Sequence, residues 1–342
     1  MDRLRIAVVG QGVAGLSSAL ALLERHPTSK VTVFGDRPFE KTCSYGPAGL
    51  FRVDTEKNRD LARPAFERFA FLHRTRSGEE TGVKLVSGII ESDDLQLLEL
   101  QERCYGDIVY GFRWMDKQEQ LALCANPAKY AIAFTTFASE GRRYVPFLMR
   151  ELEKIGRVSF ETKQFENLDQ LSSSFDVAVN CAGLDGGRLA GDDSEGVIPN
   201  RGVAIAVHAP WHKGFFYRGV DSFTIPMVDS VVLGTTRIDG RYDREVTEED
   251  KKDVLGRYYA IHPAIKSAPI IEEWVGLRPL RKAGVRLEAQ LRKADSAGNR
   301  QFLAVHNYGH GGNGFTLGWG CALKVVDLIE DFASNNIPLV KI

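Results

Sequence analysis

Neither sign of charge predominates in this chain: 44 Lys and Arg stand against 45 Asp and Glu among its 342 residues, a formal net charge of −1. A nucleic-acid binder draws on a positive field to release counterions from phosphates, so the balance argues against nucleic acid as the main partner. Long apolar runs are also missing. No stretch reaches the roughly 18 apolar residues that read as a membrane span, and the opening MDRLRIAVVG passes into a strand rather than a signal-peptide core. The expectation is therefore a protein without a membrane partner. Cysteine is sparse: Cys43, Cys104, Cys124, Cys181 and Cys321 are scattered, odd in number and never arranged as CxxC. That spacing speaks against a disulfide framework and against a zinc site, so no metal is expected and a reducing, cytoplasmic compartment fits.

What is present is ordinary for a globular protein, with 44% hydrophobic and 26% charged residues and enough length for two lobes. The opening alternates in kind: LRIAVV is a continuous apolar strand, GQGVAG a turn, LSSALALLERH a helix by its periodicity, and KVTVF a second strand. The end of the chain repeats the plan, with FLAVHNY as a strand, GHGGNG as a turn and FTLGWGCALKVVDLIEDFA as a long amphipathic helix. Between them DVAVN leads into CAGLDGG, and VAIAV, SFTIPM and SVVLGTTR read as strands of a second sheet. The fold class expected is α/β: a Rossmann-type dinucleotide-binding lobe built from both termini, with an α+β lobe whose sheet is mostly antiparallel. We assign residues 1–55, 140–190 and 287–342 to the first lobe, and 56–139 and 191–286 to the second, which would carry the substrate.

Gly10, Gly12 and Gly15 form GxGxxG, with Val13 and Ala14 completing the turn between strand and helix. The first glycine permits a tight turn, the second lets backbone approach a pyrophosphate, and the third allows close helix packing. Free N–H groups and the helix dipole then favour the phosphate charge. Asp36 ends the second strand about twenty residues on, where a carboxylate can bind ribose hydroxyls. This pattern alone does not separate NAD from FAD. Near the other terminus, Gly309, Gly311, Gly312 and Gly314 precede a second helix whose N-terminus suits the charge that develops on a reduced flavin ring. That reading sets the two glycine turns at opposite ends of one extended cofactor. His306 and His310 are four apart, but they lie in this glycine loop without a carboxylate pattern, which argues against a metal pair.

The segments GQGVAGLSSAL, VTVFGDRPFEKTCSYGPAGLF, VNCAGL, VGLRPLRKAGVRLE and HNYGHGGNGFTLGWGCA run in order along almost the whole chain. Together they resemble the D-amino-acid oxidase and D-aspartate oxidase family. The resemblance implies FAD, with Asp36 and Arg37 at its adenosine end and Thr42, Cys43 and Ser44 at the pyrophosphate. Ala48, Gly49 and Leu50 would line the flavin, Gly183 would lie near the nucleotide, and Gly311, Gly312, Gly314, Phe315 and Thr316 would close around the ring system. Cys43 departs from the hydroxyl residue usual at its position. Arg286 matches the arginine that holds the substrate carboxylate, anchored by Leu287-Glu288, although four residues separate it from Arg281, one more than is usual. A guanidinium suits the role because its planar fork meets a carboxylate with two parallel hydrogen bonds.

Arg237 and Arg218 stand where the resemblance is to the aspartate-selective branch, with Arg52 as a third candidate. A second substrate carboxylate needs such a cation, since burying it unpaired costs several kcal/mol. Phe223 stands where both branches carry a tyrosine, so a hydroxyl is absent; Tyr217 and Tyr308 are the candidates to replace it. The activity implied is hydride transfer from the Cα of D-aspartate or D-glutamate to FAD, with Gly312 near the amine. The products would be a 2-oxo acid and ammonia, and O2 would give hydrogen peroxide. Alternatives are a neutral D-amino-acid oxidase, a flavin-binding protein without turnover, and a nicotinamide dehydrogenase. The family is often peroxisomal, whereas Val340-Lys341-Ile342 is not a Ser-Lys-Leu type of address, so a cytoplasmic location is expected with the peroxisome as alternative. Oligomeric state carries no signal in the sequence.

Overall fold

The computed structural model describes residues 4–124, 126–293 and 301–334. The C-terminal tripeptide considered above lies outside the described residues. The chain divides into two units: Met1–Tyr45, Val145–Pro199 and Arg278–Ile342 form the first, Gly46–Tyr144 and Asn200–Leu277 the second. These crossings differ from the sequence assignment by up to ten residues. Residues 46–55 and 140–144 fall in the second unit rather than the first, and 191–199 and 278–286 in the first rather than the second.

In the first unit the continuous apolar runs become adjacent parallel strands, buried on both faces. The sheet order is Arg286–Lys293, Gln301–Tyr308, Val177–Asn180, Arg5–Val9, Lys30–Gly35, Val158–Thr162. Only the first pair is antiparallel; Ile6 registers with Val31 on one side and Val177 on the other. Two helices, Val13–Arg25 and Gly314–Ser334, follow the two glycine turns. They pack closely because small residues face one another: β-carbons placed on Gly314 and Gly318 would lie 3.8 and 3.6 Å from Val13 methyl groups. The two helices therefore begin side by side, not at opposite ends of an extended cofactor as the sequence reading had it.

The second unit is a ten-stranded sheet whose main path runs Ile238–Asp239, Val197–Val207, Val231–Gly234, Ser222–Pro226, Phe215–Arg218, Val83–Ser92, Tyr130–Glu140, Ala48–Leu50. Along this path the pairings are antiparallel except that of Phe215–Arg218 with Val83–Ser92. The expected fold class, a parallel nucleotide-binding sheet with a mostly antiparallel second sheet, is the one observed. Ala48–Leu50 pairs with the end of Tyr130–Glu140, which ties the segment to this unit instead of to the glycine-rich loop preceding it.

Candidate active site

The first glycine turn is closed by contacts that leave no room for side chains. Gly10 has φ +118°, and a β-carbon there would sit 2.3 Å from the Cys181 carbonyl oxygen; one on Gly15 would sit 1.9 Å from that of Gly10. The Val13–Arg25 helix has glycine, Gly12, at its N-cap, which has no side chain to cap the first turn. The Val13 N–H donates to Ser44 Oγ at 3.1 Å, which brings the 42–44 loop to the helix start. Thr42 turns its hydroxyl to the Phe39 carbonyl, and Cys43 is partly buried. At the end of the second strand Asp36 accepts from Arg37 Nε at 2.8 Å, and Arg37 donates on to Asp185 at 2.9 Å. The Arg37 hydrogen bond keeps the Asp36 carboxyl below its ordinary value, and the chain of contacts draws residues 36–37 and 183–185 together. A backbone cradle, a helix start with glycine at its N-cap and an ionised carboxylate at the strand end fit an adenine dinucleotide.

The second glycine turn continues from Gln301–Tyr308 through His310 and Gly311–Asn313 into the long helix, where Phe315 and Thr316 are buried. Leu280 bridges to His310. A β-carbon on Gly311 would lie 3.5 Å from Leu280, and one on Gly312 3.9 Å from Cδ of Arg278. The alternation of a strand puts Arg278 and Leu280 on one face, so the arginine beside Gly312 is Arg278.

Arg286 is placed otherwise than expected. It is 8% exposed; Nη1 and Nη2 donate to the two Asp192 oxygens at 2.6 and 2.9 Å, Nε to Glu288 at 2.8 Å, and Nη1 also to the Tyr308 hydroxyl at 2.9 Å. Tyr308 in turn donates to Asp193, which accepts from Arg281. Burial first, then Asp193, pushes the phenol up to about 12 against the opposing Arg286, so it stays protonated. The Arg286 guanidinium holds the Asp192 carboxyl well below the usual range. The fork assigned to substrate is thus filled by the protein's own carboxylates. Tyr308 is equally committed and does not replace the hydroxyl missing at Phe223.

In the second unit, Arg218 is engaged at two of its three guanidinium nitrogens. It pairs with Glu91, a wholly buried carboxylate brought opposite it by the parallel register, and donates to the Asn126 carbonyl. Glu91 also accepts from the Ala128 N–H, so the pair fastens the loop before Tyr130–Glu140. Arg52 is buried, paired with Asp54 at 2.9 Å, donating to Gln101 at 3.1 Å and lying 5.3 Å from the Tyr217 ring centroid. Tyr217 stacks on Phe223 at 4.9 Å, and the Phe223 ring fills the space beside Gly234. Arg237 differs from Arg218 in its half-exposed counter-ion. Nε contacts Asp221 Oδ1 at 2.9 Å and Nη2 reaches the Val220 carbonyl at 3.3 Å; among the described residues Nη1 has no partner.

Two buried histidines and a half-buried one predict acid sensitivity. His306 is pushed down to about 3 by burial and then by Arg286 and Arg292, His310 to about 4 by burial, and His212 to about 4 by burial and then His262. The unfolded chain takes up protons near pH 6.5 that the folded chain refuses, so stability is complete above that value and is lost as pH falls toward 4. The melting temperature should drop by about 10 °C from pH 7 to pH 5. His306→Gln should make that slope shallower; an unchanged slope would exclude His306 as a source.

The chain matches the family described as FAD dependent oxidoreductase over residues 5–328, and it belongs to that family. Among curated relatives it is 51% identical over 327 residues to D-aspartate oxidase 2 of Caenorhabditis briggsae, covering 95% of this chain and 98% of the relative. It is 49% identical over 333 residues to D-aspartate oxidase 1 of Caenorhabditis elegans, covering 97% and 98%. The glycine oxidase structure from Bacillus cereus superposes with a TM-score of 0.79 at 19% identity, covering 98% and 97% of the two chains, a likeness of fold. The protein is therefore an enzyme of the D-amino-acid oxidase group, and its cofactor is FAD. No helix among the described residues is long and apolar enough to cross a membrane.

Proposed function

We propose that the enzyme oxidises acidic D-amino acids, D-aspartate and D-glutamate, to 2-oxo acid and ammonia, with O2 as electron acceptor. The observation that carries this reading is the state of Arg237: its Nη1 has no partner among the described residues and its counter-ion Asp221 is half-exposed, whereas Arg286 is engaged at all three nitrogens and Arg218 is locked to the wholly buried Glu91. The names of relatives at half identity support it. When bound, FAD supplies two-electron acceptance from substrate and return of those electrons to O2 as hydrogen peroxide.

The residues of the chain would do the rest. Gly10, Gly12 and Gly15 with Val13, Ala14, Asp36, Arg37, Thr42, Cys43, Ser44 and Gly183 would hold the nucleotide; Ala48, Gly49, Leu50, Gly311, Gly314, Phe315 and Thr316 would enclose the flavin. Arg278, in place of Arg286, would fix the α-carboxylate, because it is the arginine packed beside Gly312, whose carbonyl would accept from the substrate amine. Arg237 would take the side-chain carboxylate, and the Tyr217–Phe223 stack, backed by the Arg52 guanidinium, would form a wall beside it. The test is peroxide release by FAD-loaded enzyme: D-aspartate should exceed D-alanine in kcat/KM by at least about tenfold, worth 1.4 kcal/mol, and L-aspartate should be inert. Equal rates with D-alanine would establish the neutral-substrate reading instead.

A further inference from the structure

We propose that Asp221 is a specificity-determining residue: a counter-ion that compensates Arg237 when the side chain of the substrate is neutral and against which an acidic side chain must compete. The inference rests on Arg237 as the ligand of the second carboxylate. Asp221 is tied down through its backbone, not its side chain. Its carbonyl accepts from the Thr235 N–H at 2.6 Å and from Arg257 Nη1 at 2.9 Å. Arg257 also donates to Ser222 Oγ at 3.0 Å and to the Thr235 carbonyl at 2.8 Å, and is itself paired with Asp253. This clamp fixes the turn bearing Asp221 against the turn bearing Arg237.

The carboxylate so presented is poorly used. Asp221 Oδ1 is buried 2.9 Å from Arg237 Nε yet makes no hydrogen bond among the described residues, although the side chain as a whole is 49% exposed. A contact with distance but without hydrogen-bond direction supplies charge compensation and little else. It engages Nε and leaves Nη1 for another acceptor. A substrate carboxylate arriving there would meet Arg237 already neutralised and a like charge within a few ångströms, so Asp221 weakens acidic substrates. With a neutral side chain the same carboxylate spares Arg237 from standing uncompensated. Asp221 would thereby extend the enzyme's activity to neutral D-amino acids at some loss of affinity for acidic ones.

The experiment compares the FAD-loaded wild type with Asp221→Asn, Asp221→Ser and Arg237→Ala. KM and kcat are measured for D-aspartate and D-alanine, and the Kd for succinate, which has two carboxylates and no amine, is read from the flavin absorbance. In both Asp221 variants KM for D-aspartate and Kd for succinate should fall about tenfold, while KM for D-alanine rises by about threefold. Two substitutions guard against a folding defect in one, and melting temperature with flavin content monitors both. A rise in KM for D-aspartate, or an unchanged ratio between the two substrates, would overturn the proposal by making Asp221 a support for Arg237 or a bystander. If Arg237→Ala leaves the D-aspartate preference intact, the acidic-substrate reading fails; if it abolishes the preference while the Asp221 variants do not alter it, only the present inference fails.

Discussion

Arg278→Met is expected to lower kcat/KM by about a thousandfold for every D-amino acid the enzyme accepts, whatever its side chain, while FAD stays bound. The α-carboxylate is common to all such substrates, and a bidentate guanidinium both binds it and fixes the Cα–H direction. Losing about 4 kcal/mol of transition-state positioning corresponds to that factor. Arg278→Lys should recover only part of it, since an ammonium is a point charge without the planar fork. The contrasting variant is Arg286→Met. It would leave Asp192 and Glu288 facing each other without their shared cation, and would release Tyr308, whose ring packs on Gly186. A lower melting temperature is expected there, with KM for substrate hardly moved. Steady-state peroxide assays on flavin-matched samples decide between them. Turnover within tenfold of wild type in Arg278→Met, with collapse in Arg286→Met, would return the carboxylate to Arg286 and reject this assignment.

The contrast between these two arginines marks what the sequence could and could not convey. Glycine turns are legible because the backbone demands them locally: Gly10 needs a positive φ and Gly15 a close approach, and no other residue satisfies both the turn and the helix that follows. The parallel strands are legible because burial on two faces writes a continuous apolar run, as in RIAVV and VAVN. The destination of an arginine depends instead on carboxylates distant in sequence. Asp192 lies in the loop after the short helix Gly186–Ala190 and reaches Arg286 only through folding. Glu91 reaches Arg218 through a parallel register that neither strand announces. A local signal for Arg278 did exist: it stands two residues before Leu280 on one strand face, and Leu280 meets the glycine turn. That signal becomes usable only once the strand is known to pass the turn. The same limit moved Ala48–Leu50 to the second unit, because its antiparallel partner lies ninety residues on, as the Gly49–Ser139 pair shows.

Arg237→Ala should cost about a hundredfold in kcat/KM for D-aspartate and less than about threefold for D-alanine, a selective loss that no general defect in folding or flavin binding can imitate. The magnitude follows from removing the cation proposed to meet a second carboxylate, where truncating one partner of a desolvated charge pair costs roughly 2–5 kcal/mol. The lower end is appropriate, because Arg237 is 34% exposed and water can partly replace it. Arg218→Met provides the opposite signature. It strips the buried Glu91 of its cation and loosens the loop at Asn126–Ala128, so melting temperature and yield should fall while the ratio of D-aspartate to D-alanine turnover persists in whatever protein folds. Both arginines resemble those of aspartate-selective enzymes and both leave Nη1 without a partner among the described residues, but the counter-ion of Arg237 is half-exposed whereas that of Arg218 is wholly buried. A loss of selectivity in Arg218→Met with none in Arg237→Ala would mean that Glu91 yields its arginine to substrate, and would transfer the specificity role from the half-exposed pair to the buried one.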